Sequence, residues 1–191
     1  NIGLAGKWND ADDAKNEFPF VCEESAARGS CTGDWQSTEG RCYKYFESEM
    51  HFSAAQSECQ KNNATLARIP SKEVNSKVFE MCDGGSSPAE ECWIGLYQPH
   101  GEGGPDSWRW IADESVPTYT NWETIGGEPN GGERENHATI FTSGKEPKLF
   151  IALCGVVAFI VCSAVSSCSI YGIVKANKTM ISCGATGDGV C

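Results

Sequence analysis

Eleven cysteines in a chain of 191 residues constrain the fold more than any other feature. Cysteine at that density reads as a disulfide framework built in an oxidising compartment. Zinc is the rival use, and spacing argues against it: there is no Cys-x-x-Cys pair, and the three histidines are scattered. The count is odd, so at least one cysteine has no partner within the chain. The length allows one domain of ordinary size plus extra segments. A formal charge of −11 argues against a nucleic-acid backbone as partner. It suits calcium, whose ligands are oxygens, although excess acid alone ordinarily serves solubility. The sequence opens at Asn1 with neither an initiator methionine nor a signal peptide. The secretory reading therefore rests on the cysteines, and the chain reads as a piece or a processed form.

Composition divides the chain. The stretch 1–25 holds Gly6-Lys7-Trp8-Asn9-Asp10 and ends in the strand-like run Phe18-Pro19-Phe20-Val21-Cys22-Glu23. Residues 26–30 are mostly small and polar and read as a linker, and the globular part begins at Cys31. Within it, Cys42-Tyr43-Lys44-Tyr45-Phe46 is aromatic and β-prone after a turn at Glu39-Gly40. Residues 52–61 have helical composition, with Phe52, Ala55 and Cys59 on one face. Ser71 is placed to cap a second helix that offers Val74, Val78 and Phe79 to the core. Trp93-Ile94-Gly95-Leu96 reads as a short buried strand. From Tyr97 onward glycine and proline are frequent, yet Trp108, Trp110 and Trp122 run through the same region. Disordered chains seldom carry that much aromatic surface, so it reads as an ordered functional loop.

The tract 149–174 contains no charged residue and begins LFIALCGVVAFIVC. A membrane span needs about 20 mostly apolar residues, so the tract predicts a transmembrane helix, followed by a short tail at 175–191. Ser163, Ser166, Ser167 and Ser169 dilute its second half, which leaves a buried helix as the alternative. Lysines bracket it on both sides, so charge does not set an orientation.

Cys31-Thr32-Gly33-Asp34-Trp35, Cys42-Tyr43, Cys59, Trp93-Ile94-Gly95-Leu96, Trp108-Arg109-Trp110, Thr120-Asn121-Trp122 and Glu128-Pro129-Asn130 follow one another in a set order. In that order and spacing, the stretch from Cys31 to about Lys145 resembles the C-type lectin-like domain. The start of the chain resembles a different part of the same family. Trp8-Asn9-Asp10 followed by Phe20-Val21-Cys22-Glu23 is similar to its closing segment. The resemblance implies an α+β fold with two helices, small antiparallel sheets and a long irregular loop region. It implies calcium-dependent carbohydrate binding and no enzymatic activity. An enzyme reading finds no Ser-His-Asp arrangement, phosphate loop or zinc spacing to rest on.

Calcium takes roughly six to eight oxygen ligands. By resemblance, Glu128 and Asn130 supply a carboxylate and an amide on either side of Pro129, which is similar to the family's cis proline. Glu135 falls where the family places a third oxygen ligand, if His137 aligns with the family's cysteine. Asn9 and Asp10 complete the implied metal set. The implied sugar contacts are Glu128, Asn130, Glu135 and Asn9. Two vicinal hydroxyls fill open positions on the ion while the carboxylate accepts from them and the amide nitrogen donates to them. In the family, the Glu-Pro-Asn order implies mannose-type sugars with equatorial hydroxyls. Taken singly, each element has a plainer reading: Glu133-Arg134-Glu135 as a solvated cluster, Glu-Pro-Asn as a turn, the tryptophans as core, His137 as structural. The competing function class is an adhesion or scaffold ectodomain that binds protein without calcium.

The domain at 31–145 departs from the family where it should close. Gly144-Lys145 runs into Glu146-Pro147-Lys148 and the apolar tract, whereas Gly6-Lys7 runs into Trp8-Asn9-Asp10. The domain therefore lacks a closing segment of its own. Either 1–25 is the tail of a preceding repeat in a tandem array, or it closes the domain that follows, as neighbouring termini allow. We expect a tandem origin, with the early segment serving as the closure. The predicted disulfides are Cys31–Cys42, which staples the opening hairpin, and Cys82–Cys92, which closes a short loop before Trp93. Cys22–Cys59 is the third and requires the early segment to dock. The family's inner pair is absent, with Asp13 and His137 in its two positions. Asn63-Ala64-Thr65 is a glycosylation sequon expected at the surface, and Asn177-Lys178-Thr179 is a second. These readings describe an extracellular, single-pass cell-surface lectin with mannose-type glycans and a membrane as partners. An oligomer is expected to add multivalent affinity.

Overall fold

The computed structural model describes residues 4–25, 30–100, 104 and 106–143. The span predicted at 149–174, the tail at 175–191 and all of the linker except Ser30 lie outside the described residues. Strand β1 is Trp8–Ala11, β2 Phe18–Ser25, β3 Gln36–Thr38 and β4 Arg41–Met50. Helix α1 (Phe52–Lys61), strand β5 (Thr65–Leu66) and helix α2 (Lys72–Gly84) follow. Strands β6 (Glu91–Tyr97), β7 (Arg109–Trp110) and β8 (His137–Phe141) complete the order, with a short 3-10 turn at Gly132–Arg134 before β8.

The strands form one eight-stranded sheet in the order β1-β8-β6-β2-β4-β3, with β5 beside β2 and β7 beside β6. This corrects the expectation of separate small antiparallel sheets. The reason is β2, which pairs antiparallel with β4 from Phe18 to Ser25 and also meets β6 in parallel at Phe20 and Trp93. It thereby joins what would otherwise be two sheets. At one edge β1 pairs antiparallel with β8, setting Trp8 opposite Ile140 and Asp10 opposite Ala138.

Alternation explains the apolar runs Phe18-Pro19-Phe20-Val21-Cys22 in β2 and Cys92-Trp93-Ile94-Gly95-Leu96 in β6. Successive side chains of a strand point to opposite faces. Phe20, Cys22 and Trp93 join one cluster with Phe52, Ala55 and Cys59 of α1, while Val21, Ile94 and Leu96 join another with Val74, Val78 and Met81 of α2. Strand segments covered on both faces favour near-continuous apolar runs. Phe20, Val21, Cys22, Trp93 and Ile94 are all fully buried. Gly95 interrupts the run for a steric reason: a Cβ there would lie 2.4 Å from the Leu66 carbonyl oxygen. Its N–H instead donates to the Ala67 carbonyl at 2.8 Å.

Ser71 caps α2 by accepting from the Val74 N–H at 3.1 Å. Helix α1 has no cap from His51; the Asp13 carboxyl accepts from the Phe52 N–H instead. The His137 ring packs 4.1 Å from the Phe52 ring. Asp13 and His137 thus both act on the first residue of α1, tying the early segment and β8 to the same helix. Disulfides join Cys22 to Cys59, Cys31 to Cys42 and Cys82 to Cys92, with Cα separations of 5.6, 5.6 and 6.2 Å. Asn63 is exposed in the turn after α1. Among the described residues no helix is long and apolar enough to cross a membrane.

Candidate functional site

Trp8 fixes the edge on which the site is built. It is fully buried, and its ring meets Trp110, Tyr119 and Trp122 edge-on at 6.0, 5.7 and 5.7 Å. Its indole N–H donates to the Asn75 side-chain oxygen at 2.6 Å. Its main chain accepts from the Glu123 N–H and donates to the Asn121 carbonyl, both at 2.9 Å. Strand β1 is therefore held between β8 and the 121–123 segment, and Asp10 follows two residues later.

Asp10 docks onto the Glu128–Asn130 turn, whose Glu128–Pro129 peptide is cis. One Asp10 oxygen accepts from the Asn130 N–H at 3.1 Å and the other from the Gly131 N–H at 2.8 Å. Asp10 is 2 % exposed. The Asn130 amide nitrogen donates to Glu128 Oε1 at 2.9 Å and to the Gly126 carbonyl at 3.3 Å. With the donor end of that amide committed, its oxygen is the end that can serve as a ligand. Glu128 Oε2 is buried, and among the described residues no donor reaches it. Burial, and then the Asp10 carboxyl beside it, push the Glu128 carboxyl up to about 7.

Glu135 ends the 3-10 turn and rests against Gly131, where a Cβ would come within 2.2 Å of its own Cβ. Its carboxyl is raised, first by burial and then by the charges of Asp10 and Asp12. Asn9 precedes Asp10 in β1 and is half-buried. Its amide nitrogen donates to Glu91 Oε2 at 3.3 Å, which leaves the amide oxygen as its available end. Glu91, a half-buried acid that sequence reasoning missed, also accepts from the Thr139 hydroxyl, and burial raises its carboxyl. Its only signal in the sequence was an acid placed directly before a buried Cys-Trp-Ile run. His137 is held below the usual imidazole range by burial, and among the described residues its Nδ1 has no hydrogen-bond partner.

The structure thus brings Asp10, Glu128 and Asn130 into one hydrogen-bonded group with Glu135 beside it, while Asn9 is engaged by Glu91. The donors are all oxygens, the set that suits a hard cation such as calcium. Two adjacent carboxyl groups and a buried oxygen without a donor form an arrangement a cation would relieve. Among the described residues, no three Asp, Glu, His or Cys side chains converge on a common metal position. A cavity of about 280 Å³ opens behind the turn, between Gln98 and Trp108 on one side and Asp10 and Pro129 on the other.

The model for the lectin C-type domain matches residues 48–164, a range that runs into the apolar tract. A perlucin-like protein of Mytilus galloprovincialis is 29% identical over 123 residues, covering 61% of this chain and 76% of that protein. Regenerating islet-derived protein 4 of Homo sapiens is 31% identical over 119 residues, covering 60% and 72%. A hepatic lectin of Gallus gallus is 32% identical over 120 residues, covering 61% of this chain but only 53% of that protein. No solved structure matches the chain.

Proposed function

The chain belongs to the C-type lectin domain family, and from that premise we propose that it binds carbohydrate through a calcium ion held at the Glu128–Asn130 edge. The family is generally non-enzymatic, and an exposed binding edge fits recognition. The observation that carries the reading is the buried Glu128 Oε2, which no donor among the described residues reaches, beside the Asp10 carboxyl. Asp10, Glu128, Glu135 and the Asn130 amide oxygen are the residues that would hold the ion. Asn9 would add its oxygen, its nitrogen staying on Glu91. Bound calcium supplies a positive centre with coordination positions for vicinal hydroxyls. The chain's own groups would orient them: Glu128 would accept from a hydroxyl, and Asn130 would release its amide N–H from Glu128 Oε1 to donate to another. The Glu-Pro-Asn order selects equatorial, mannose-type hydroxyl pairs, and the hepatic lectin among the relatives supports carbohydrate as the ligand class. Extracellular display on a single membrane pass at 149–174 belongs to the same reading.

One observation favours a second reading, a protein-binding ectodomain that uses no calcium. The described acids do not converge on one point. Terbium binding, read as emission on tryptophan excitation, separates the two. The lectin reading expects emission that calcium competes away. Glu128→Ala should weaken terbium binding by at least about tenfold, the loss that removing even an outer-sphere partner brings. Silence from the folded wild-type protein would favour the second reading.

A further inference from the structure

The loop between Trp122 and Glu128 is folded around the side chain of Glu123. That residue is 6 % exposed, and its two carboxyl oxygens accept separately from the N–H groups of Ile125 and Gly126. Its main chain adds two further ties. The Glu123 N–H donates to the Trp8 carbonyl, and the Glu123 carbonyl accepts from the Glu128 N–H, both at 2.9 Å. One residue therefore grips the strand that carries Asp10, shapes the loop from inside, and binds the main chain of Glu128.

Apolar packing does not explain the loop. Ile125 at its tip is 88 % exposed. The space around Gly126 is filled by the two carboxyl groups: a Cβ there would lie 2.7 Å from Glu123 Oε2 and 3.2 Å from Glu128 Oε1. Gly126 is thus the gap through which the two side chains approach one backbone position.

We propose that Glu123 is a positioning residue for the binding edge, its buried carboxyl fixing the loop that presents Glu128 without itself touching ion or sugar. This rests on the reading of Glu128 as a ligand, but the loop conformation can be measured without any ion. Two substitutions in the full chain attack the clamp from different sides. Glu123→Gln keeps the shape while setting an amide NH₂ against one of the two N–H groups. Gly126→Ala leaves Glu123 intact and pushes its carboxyl aside.

The measurement is amide hydrogen exchange in calcium-free protein, followed by calcium titration and mannan binding at saturating calcium. Each variant should show roughly tenfold faster exchange at positions 125 and 128, the scale of one lost hydrogen bond. Exchange at Tyr43 and Ile94 in the core should stay at its wild-type rate. Calcium affinity should fall by a similar factor, and mannan affinity should recover once calcium is raised to saturation. Unchanged exchange at 125 and 128 in both variants would overturn the proposal. So would a rise at Tyr43 and Ile94 as large as in the loop, because that describes general destabilisation. If Glu123→Gln fails to fold, Gly126→Ala carries the test alone. A wild-type protein that takes up no calcium would overturn the lectin reading, and the exchange data would then decide the role of Glu123 by themselves.

Discussion

Glu23 shows how a buried acid behaves here outside the binding edge. It is 1 % exposed and takes two hydrogen bonds from Arg41, each at 3.0 Å. Burial still outweighs the guanidinium and raises its carboxyl above the ordinary 4.5. A carboxyl with a raised folded-state value favours folding most below its unfolded value, and that contribution is lost as pH rises through the folded one. Glu23→Gln cannot titrate, so its stability relative to wild type should improve as pH climbs from about 4 upward. Denaturant midpoints measured across that range check this, and a difference that runs flat or reverses would remove burial as the dominant influence on Glu23. The same physics separates what was readable at single residues from what was not. Glu128, Asn130 and Asp10 stand out because short motifs carry them. Glu91 and Glu123 do not, because the backbone and side-chain partners that give them meaning come from segments distant in the sequence, Thr139 for one and Trp8 for the other.

Among the elements, those with local signals were legible. The apolar spacing of residues 52–61 and the serine before α2 mark helices that the structure places at Phe52–Lys61 and Lys72–Gly84. Sheet order was not legible, since it depends on where β2 inserts. That strand lies between β4 and β6, hydrogen-bonded to both and to β5, and its Phe20, Val21 and Cys22 are fully buried. Losing an interior strand exposes both neighbours as open edges. Losing Phe20 alone down to alanine would cost about 3–5 kcal/mol. The Cys22–Cys59 closure spans 37 residues and adds about 4 kcal/mol in the chain-entropy picture. A protein beginning at Gly29 should therefore show no cooperative thermal transition. A sharp melt from that piece would mean that the early segment is an accessory and not part of the core. For the same reason, loss of sugar binding on truncation reports on folding, and point substitutions such as Asp10→Ala are the cleaner probe of the edge.

For the whole molecule, the two sequons address topology. Asn63 is exposed on the surface of the folded lectin domain, and Asn177 lies beyond the apolar tract in the sequence. A single pass at 149–174 predicts glycan on Asn63 and none on Asn177 when the chain is made in secretory cells. Glycan on both would place the two on one side of the membrane. Calcium should also act on global stability, because an ion that binds only the folded chain stabilises it by mass action. Extracellular calcium sites often bind at about 10⁻⁴ to 10⁻³ M, so about 10 mM calcium is roughly ten to a hundred times the dissociation constant. That corresponds to about 1.4–2.7 kcal/mol, or several degrees in melting temperature for a domain of this size.

The most direct measurement is binding of the full chain to mannan and to a galactose polymer, in calcium and in excess EDTA, for wild type and for the paired exchange Glu128→Gln with Asn130→Asp. The exchange keeps one carboxylate and one amide but reverses donor and acceptor around the hydroxyl pair. Wild type should bind mannan only with calcium, and the exchanged protein should keep its calcium dependence while its preference moves toward galactose. Mannan binding that survives EDTA, or a sugar preference indifferent to the exchange, would contradict an ion-held sugar at the Glu128–Asn130 edge.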